Sequence, residues 1–258
     1  MKSPAIAVTT IVIIAVGTFF LLVPPIPQDP AYHAFADSRV FLGIPNFWNV
    51  ASNLPFLVVG LWGTAFVFRH GRTVCAAGLE LAYVVFFAGI VLTSIGSAYY
   101  HLNPANEPLV WDRLPMTIAF AGLFSIIIGE YFSPRLARAI LIPLLLLGAL
   151  SVEFWAYTEA RGMGDLRAYV IFQFLPLILV PFILLLRQPV IGDGRYFWIM
   201  LLFYVLSKLV EFLDASIFAA GGLISGHALK HVFAAIAAAA LLYGLSERRA
   251  MSVAANDD

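Results

Sequence analysis

The chain has 258 residues, of which 62% are hydrophobic and 12% charged, with a formal charge of +0 from 15 basic and 15 acidic side chains. Soluble domains hold about 45–50% apolar and about 25% charged residues, so this chain lacks the polar groups to cover a surface in water and is read as a membrane protein. The neutral balance leaves no basic field for nucleic acid, and the single cysteine, Cys75, excludes an internal disulfide framework while leaving the redox compartment open.

A bilayer core about 30 Å thick needs roughly 20 apolar residues per helix. Eight such runs follow along the chain, at about 5–23, 47–68, 78–101, 113–131, 136–153, 167–186, 196–219 and 227–246. The first run has Lys2 ahead of it, as a signal peptide would. Its apolar stretch is longer than the usual about 7–15 residues, however, and the nearest small-x-small site, Ala34-Phe35-Ala36, lies far downstream. An uncleaved helix is expected. The links carry breakers and charges: Arg69-His70-Gly71-Arg72, Ser133-Pro134-Arg135, the stretch from Gly162 to Asp165, and Gly192-Asp193-Gly194-Arg195. Barrel strands would alternate and be shorter. Interior prolines such as Pro143 and Pro176 are tolerable in membrane helices, where neighbours satisfy the freed carbonyls.

The expected fold is therefore all-α, a polytopic membrane helix bundle of eight spans. Residues 1–46 form an extra N-terminal transmembrane helix and outer loop, 47–246 a seven-helix core, and 247–258 a cytoplasmic tail. Orientation follows from basic residues in short loops. With the N-terminus in the cytoplasm, Lys2, Arg69, Arg72, Arg135, Arg138, Arg187, Arg195, Arg248 and Arg249 fall on that side, against Arg39, Arg113, Arg161 and Arg167 outside. Both termini are then cytoplasmic. A short chain without organelle signals suits a bacterial inner membrane, with the endoplasmic reticulum or Golgi left open.

Ionisable groups within a membrane are costly, so each is a candidate for function with a partner to be named. His101 closes the third run, and His227 and His231 open the eighth one helical turn apart, so their rings share a face. All three lie near the outer boundary, where three neutral imidazoles suit a zinc ion with an open position for water. Interfacial histidines bonded to carbonyls are the alternative. Ser97 stands one turn before His101, and Asp112 follows after a short loop that returns to the same boundary. A carboxylate beside a metal-bound water can take its proton, and a serine hydroxyl can orient the water or donate to an oxyanion. Asp112 could instead cap its helix or pair with Arg113, and Ser97 could bond back to its own helix.

These residues resemble the alkaline ceramidases, within the wider group of seven-span membrane hydrolases that includes the adiponectin-receptor-like proteins. The resemblance rests on Ser-x3-His (Ser97, His101), an aspartate eleven residues later (Asp112), and His-x3-His (His227, His231). It also rests on Asn46-Phe47-Trp48-Asn49-Val50-Ala51-Ser52-Asn53-Leu54, similar to the family's segment leading into its first core helix. The similarity runs from about Asp29 to Gly244. It implies a zinc-dependent hydrolase that cleaves the amide of ceramide-like lipids to fatty acid and sphingoid base. His101, His227 and His231 would be the metal ligands, Asp112 the acid/base and Ser97 the assisting hydroxyl. Partners would be the lipid amide and the surrounding membrane lipids. A non-catalytic, zinc-containing membrane receptor or scaffold of the same fold is the rival reading.

The family's core has seven spans, so the helix at about 5–23 is an addition. The family's calcium site draws on several acids ahead of the first core helix and on a glutamate where this chain has Asn46. Only Asp29 and Asp37 remain there, mixed with His33 and Arg39. Ca2+ is thus short of charge, and an Asp37–Arg39 or Asp37–Asn49 network closing the loop is favoured over it.

Lys208, Glu211 and Asp214 recur along the seventh run, with Lys208 and Glu211 close enough to neutralise each other. Asp214, nearer the outer end, is a candidate to support a zinc histidine through a hydrogen bond. Lys230 points off the histidine face and is expected to reach the head groups. Glu80 and Glu130 are expected to be solvated at the cytoplasmic boundary. His33 and His70 are assigned to loops on opposite sides, without a role in the chemistry.

Overall fold

The computed structural model describes residues 3–192 and 194–257; Lys2 and Asp193, both used in the sequence reading, lie outside the described residues. Helices build the fold in chain order: α1 (Ser3–Leu22), α2 (Phe47–Ala51), α3 (Leu54–Val74), α4 (Glu80–Leu102), α5 (Asn106–Tyr131), α6 (Pro134–Glu159), α7 (Arg167–Leu186), α8 (Arg195–Phe212), α9 (Asp214–Gly221) and α10 (Gly226–Asp257). Among the described residues there is no strand, only an isolated bridge between Phe41 and Ile44. Six segments of the described residues are long and apolar enough to cross a membrane: α2 with α3, then α4, α5, α6, α7 and α10. A seventh crossing results if the bent pair α8–α9 is one span, and α1 contributes the shorter apolar helix Ile13–Leu22. The chain is a multi-pass membrane protein.

Three boundaries differ from the expected runs. The fourth helix starts at Asn106, about two turns ahead of 113, so Asp112 and Arg113 lie within α5 instead of at its start. The seventh run is not straight: α8 stops at Phe212 and α9 leaves at 74°. The cause sits at the bend. Asp214 Oδ1 accepts from the peptide N–H of His227 at 2.7 Å and Oδ2 from that of Ala36 at 3.0 Å. A first-turn N–H has no acceptor within its own helix, and turning the chain brings the carboxylate to it. Gly226 makes the approach feasible, since a Cβ there would lie 2.7 Å from Asp214 Cα. Finally, α10 continues to Asp257, so the expected tail from 247 is helical.

The tight centre of the bundle is the pair α4 and α5, flanked by α3 and α6, with α10 packed against α8 and α3. Lipid tails give helices no hydrophobic reason to associate, so close backbone approach through small residues carries the packing. Gly89 and Gly122 meet α5 and α4 backbone, where a Cβ would come within 2.6 Å of Ala119 N and Phe86 N respectively. The first segment is fastened at its end: Arg167 Nη1 donates to the carbonyls of Phe20 at 3.0 Å and Val23 at 2.7 Å, groups a helix C-terminus leaves unpaired.

At the end of the bundle away from the histidines, Glu130 is not solvated as expected but fully buried. It accepts from the Tyr83 hydroxyl at 2.8 Å and from Arg248 Nη1 at 2.8 Å. Arg248 reaches back from α10, which is why that region belongs to the bundle. Next to it, burial pushes the Cys75 thiol up to about 12, with Glu130 and Glu80 adding to the effect, so this cysteine is an unreactive packing residue.

Candidate metal centre

Two helix ends bring the histidines together. The last turns of α4 carry Ser97 and His101 on one face, and the first turns of α10 carry His227 and His231. The three rings form a near-equilateral triangle, with centroids 4.9 Å (His101–His227), 5.1 Å (His101–His231) and 5.0 Å (His227–His231) apart. All three residues are buried, and one ligand nitrogen from each lies within 4.8 Å of the others. Among the described residues this is the one group of His, Cys, Asp or Glu so arranged.

The donor set fits a tetrahedral metal. Metal–nitrogen bonds of about 2.0–2.1 Å place two ligand atoms about 3.3–3.4 Å apart along a tetrahedral edge, and His101 Nε2 and His227 Nε2 are 3.3 Å apart. His101 Nδ1 is buried without a partner. His231 is oriented from behind: its Nδ1 lies 2.8 Å from Ser52 Oγ, whose hydroxyl donates to the Asn49 carbonyl at 3.2 Å. With its one proton so used, Ser52 accepts from Nδ1–H and leaves the Nε2 lone pair of His231 free for a metal. Asn46, in a left-handed conformation at φ 47°, donates from Nδ2 to the His101 carbonyl at 2.9 Å. The Phe35 ring covers the triangle, 4.7 Å from the His101 ring and 4.4 Å from that of His227.

Beside the triangle, Asp112 and Ser97 are both buried and line the same cavity. Gly96 lets α4 and α5 close together here, because a Cβ there would run into the Trp111 carbonyl and hold α5 away from α4. Asp112 does not pair with Arg113, whose Nη2 donates instead to Gln28 Oε1 at 2.6 Å. Ser97, Asp112 and His231 line one end of a cavity of about 290 Å3 whose far wall includes Phe86, Ile90, Ala119 and Ala237.

The remaining candidates fall around this core. The expected Lys208–Glu211 pair is present at 2.8 Å. Lys230 corrects its expectation: it turns inward, and its Nζ donates to the second Glu211 oxygen at 2.7 Å. The partner on α8 gives the ammonium an anion within reach, which outweighs an extended route to the head groups. Asp214 holds the His227 peptide, and its carboxylate thereby supports the residue through the backbone and not through the ring. In the outer loop, Arg39 donates from Nε and Nη2 to the two Asp37 oxygens at 2.9 and 2.7 Å, and Asn49 Nδ2 donates to the Asp37 carbonyl at 3.1 Å. Burial works against the Asp37 charge, but the Arg39 hydrogen bonds and charge outweigh it and hold the carboxyl below its ordinary value. Asp29 accepts from Ala31 N at 2.8 Å and caps a short turn. His33 ties the loop to α4 and α5 through Tyr100 Oη at 2.8 Å and Asn106 Oδ1 at 2.9 Å. Ser52 and Phe35 were not singled out from the sequence. Ser52 stands within the Asn46–Leu54 motif and could have been found there, whereas nothing in its neighbourhood marks Phe35.

Among curated protein sequences there is no match. The sequence model of the ceramidase family matches residues 39–214. That stretch takes in Ser97, His101, Asp112 and Asp214 and stops short of α10, which supplies the other two histidines. With more than half of its length matched, the chain belongs to the ceramidase family.

Proposed function

We propose that the protein is a zinc-dependent amidohydrolase of the membrane, cleaving ceramide-like lipids to fatty acid and sphingoid base. The observation that carries this is the meeting of three buried imidazoles beside a largely apolar cavity that Ser97 and Asp112 also line. His101, His227 and His231 would hold the ion, which when bound supplies Lewis-acid polarisation of the amide carbonyl and a water acidified towards about pH 7. Asp112 acts as general base on that water and then as general acid to the departing amine. Ser97, on α4 one turn before His101 and lining the same cavity as Asp112, offers its hydroxyl to the substrate's oxygen. Phe35 closes the centre on its outer side, and the Phe86, Ile90 and Ala237 wall receives the acyl chain.

We assign eight crossings, with α1 added to the seven of the core, and both termini in the cytoplasm of a bacterial cell membrane. The centre then faces the outer side. In the outer loop, Asp37 serves to close the chain through Arg39, and Ca2+ is not needed for that role.

The test is fatty-acid release from a ceramide panel by purified protein, with metal analysis alongside. Asp112→Asn should keep its zinc and lose activity by about 10²–10⁴-fold, while His231→Ala should lose both. Undiminished hydrolysis by Asp112→Asn refutes its role, and zinc without release from any lipid amide favours the receptor reading.

A further inference from the structure

The polar end of the cavity carries more positive charge than its carboxylates balance. Lys208 and Lys230 each donate to one oxygen of Glu211, at 2.8 and 2.7 Å, so two ammonium groups share a single anion. All three side chains line the cavity, and all are largely withdrawn from the surface, with 34% of the Lys208 side chain exposed, 20% of Glu211 and 16% of Lys230. Arg113 lines the same wall and has no ion pair among the described residues. Its guanidinium lies 4.2 Å over the Trp155 ring and 4.9 Å over that of Tyr169; Nη2 donates to the neutral Gln28, and Nη1 is buried without a partner. Asp112 is the other carboxylate on the wall. Three cations therefore face two anions, in a part of the membrane where an unbalanced charge is costly.

We propose that this surplus recognises an acidic group on the amine half of the substrate. The preferred substrates are then N-acyl amides bearing a carboxylate or phosphate on that half, ahead of neutral ceramides. The inference rests on the amidase reading above and adds the substrate class. The apolar wall accepts an acyl chain and offers an anion nothing, so the charged group belongs to the other half of the molecule. Each ammonium has three N–H donors, of which Glu211 engages one. The two lysines thus retain donors to close on a carboxylate or phosphate as charge-assisted bonds.

The experiment uses the full chain, zinc-loaded, in lipid nanodiscs. Two matched pairs are compared by kcat/KM: N-oleoylglycine against N-oleoylethanolamine, and ceramide 1-phosphate against ceramide. At least one pair should favour its anionic member by about tenfold or more, equivalent to about 1.4 kcal/mol. Preference in the first pair assigns a carboxylate, and preference in the second a phosphate. Lys208→Met leaves Lys230 and Glu211 as a balanced pair and should cut the ratio about tenfold, mainly through KM. Glu211→Gln enlarges the surplus and should raise the ratio. Equal turnover within both pairs, or a ratio that neither variant moves, overturns the proposal while leaving the amidase reading intact. If no amide is cleaved, the amidase reading falls and binding decides the site. Wild type holding the anionic member of either pair about tenfold more tightly than its neutral partner, with the difference lost in Lys208→Met, supports it. Equal affinity within both pairs refutes it.

Discussion

Ser52→Ala isolates what holds the proposed metal centre in shape without touching any of the three histidines. Ser52 Oγ is 2.8 Å from His231 Nδ1, and its own proton goes to the Asn49 carbonyl at 3.2 Å. Removing the oxygen strands the Nδ1–H of a buried imidazole, and a buried donor left unsatisfied costs about 1–3 kcal/mol. The ring can escape that cost by moving its proton to Nε2, the nitrogen that faces the other two histidines, or by rotating. Either escape removes a ligand lone pair. The energy lost is therefore drawn from metal binding, consistent with the about 10–100-fold weaker affinity typical when the group behind a ligand histidine is removed. On the free-energy scale that is about 1.4–2.7 kcal/mol. Zinc affinity is read by competition with a chromophoric chelator on detergent-purified protein, with Ser52→Thr retaining the hydroxyl as the control. Hydrolysis at saturating zinc should recover in Ser52→Ala, since the ligands themselves remain. An Ser52→Ala protein that binds zinc as tightly as wild type refutes the assigned tautomer and the use of Nε2 by His231.

Three further outcomes follow from the packing and charges. Arg248→Met removes the counterion of the fully buried Glu130 and should cost about 3–5 kcal/mol; adding Glu130→Gln should restore most of it, both read from unfolding midpoints in detergent. Gly96→Ala puts a methyl against the Trp111 carbonyl, so α4 and α5 should part, lowering stability by about 1–3 kcal/mol. Because Ser97 and Asp112 straddle that contact, a shift near 1 Å should also reduce turnover by about 10²-fold. The Asp37 carboxyl lies below its ordinary value, so its contribution is complete above the unfolded value of about 3.9. It is lost as pH falls through the folded value. Hydrogen exchange in the loop at 34–46 should quicken only on acidification past that range, and Asp37→Asn should exchange quickly at neutral pH.

The legibility of the chain follows the range of the interactions. Continuous apolar runs are local, so six of the expected spans could be placed along the sequence, though several helix ends lie a turn or more from where the runs put them, and the scarcity of charge made each intramembrane histidine visible. The i, i+4 spacings of Ser97 with His101 and of His227 with His231 fixed which residues share a helix face before any fold was known. The bend at Leu213 was not readable, because its cause is an acceptor on one helix meeting an orphan donor on another. Nor was Phe35, which covers the histidines from a loop and has only its packing to identify it.

Lys230 and Glu130 show where the sequence argument stops and why. Both were seen as charges at membrane boundaries, where exposure to head groups or water is the inexpensive solution when each residue is considered alone. Both are instead turned inward, by Glu211 on α8 and by Arg248 near the end of α10. A charge in an apolar run thus announces that a partner is needed, and the distance to that partner is set by the fold: Glu130 and Arg248 are 118 residues apart. The same logic gives the cavity its direction. Glu211 satisfies Lys208 and Lys230 only in part, Arg113 finds rings and an amide in place of an anion, and the demand left over is exposed in one place, on the wall where a substrate would lie. In a chain with so few charges, an incomplete pairing beside the histidine cluster is the feature least easily explained by folding alone.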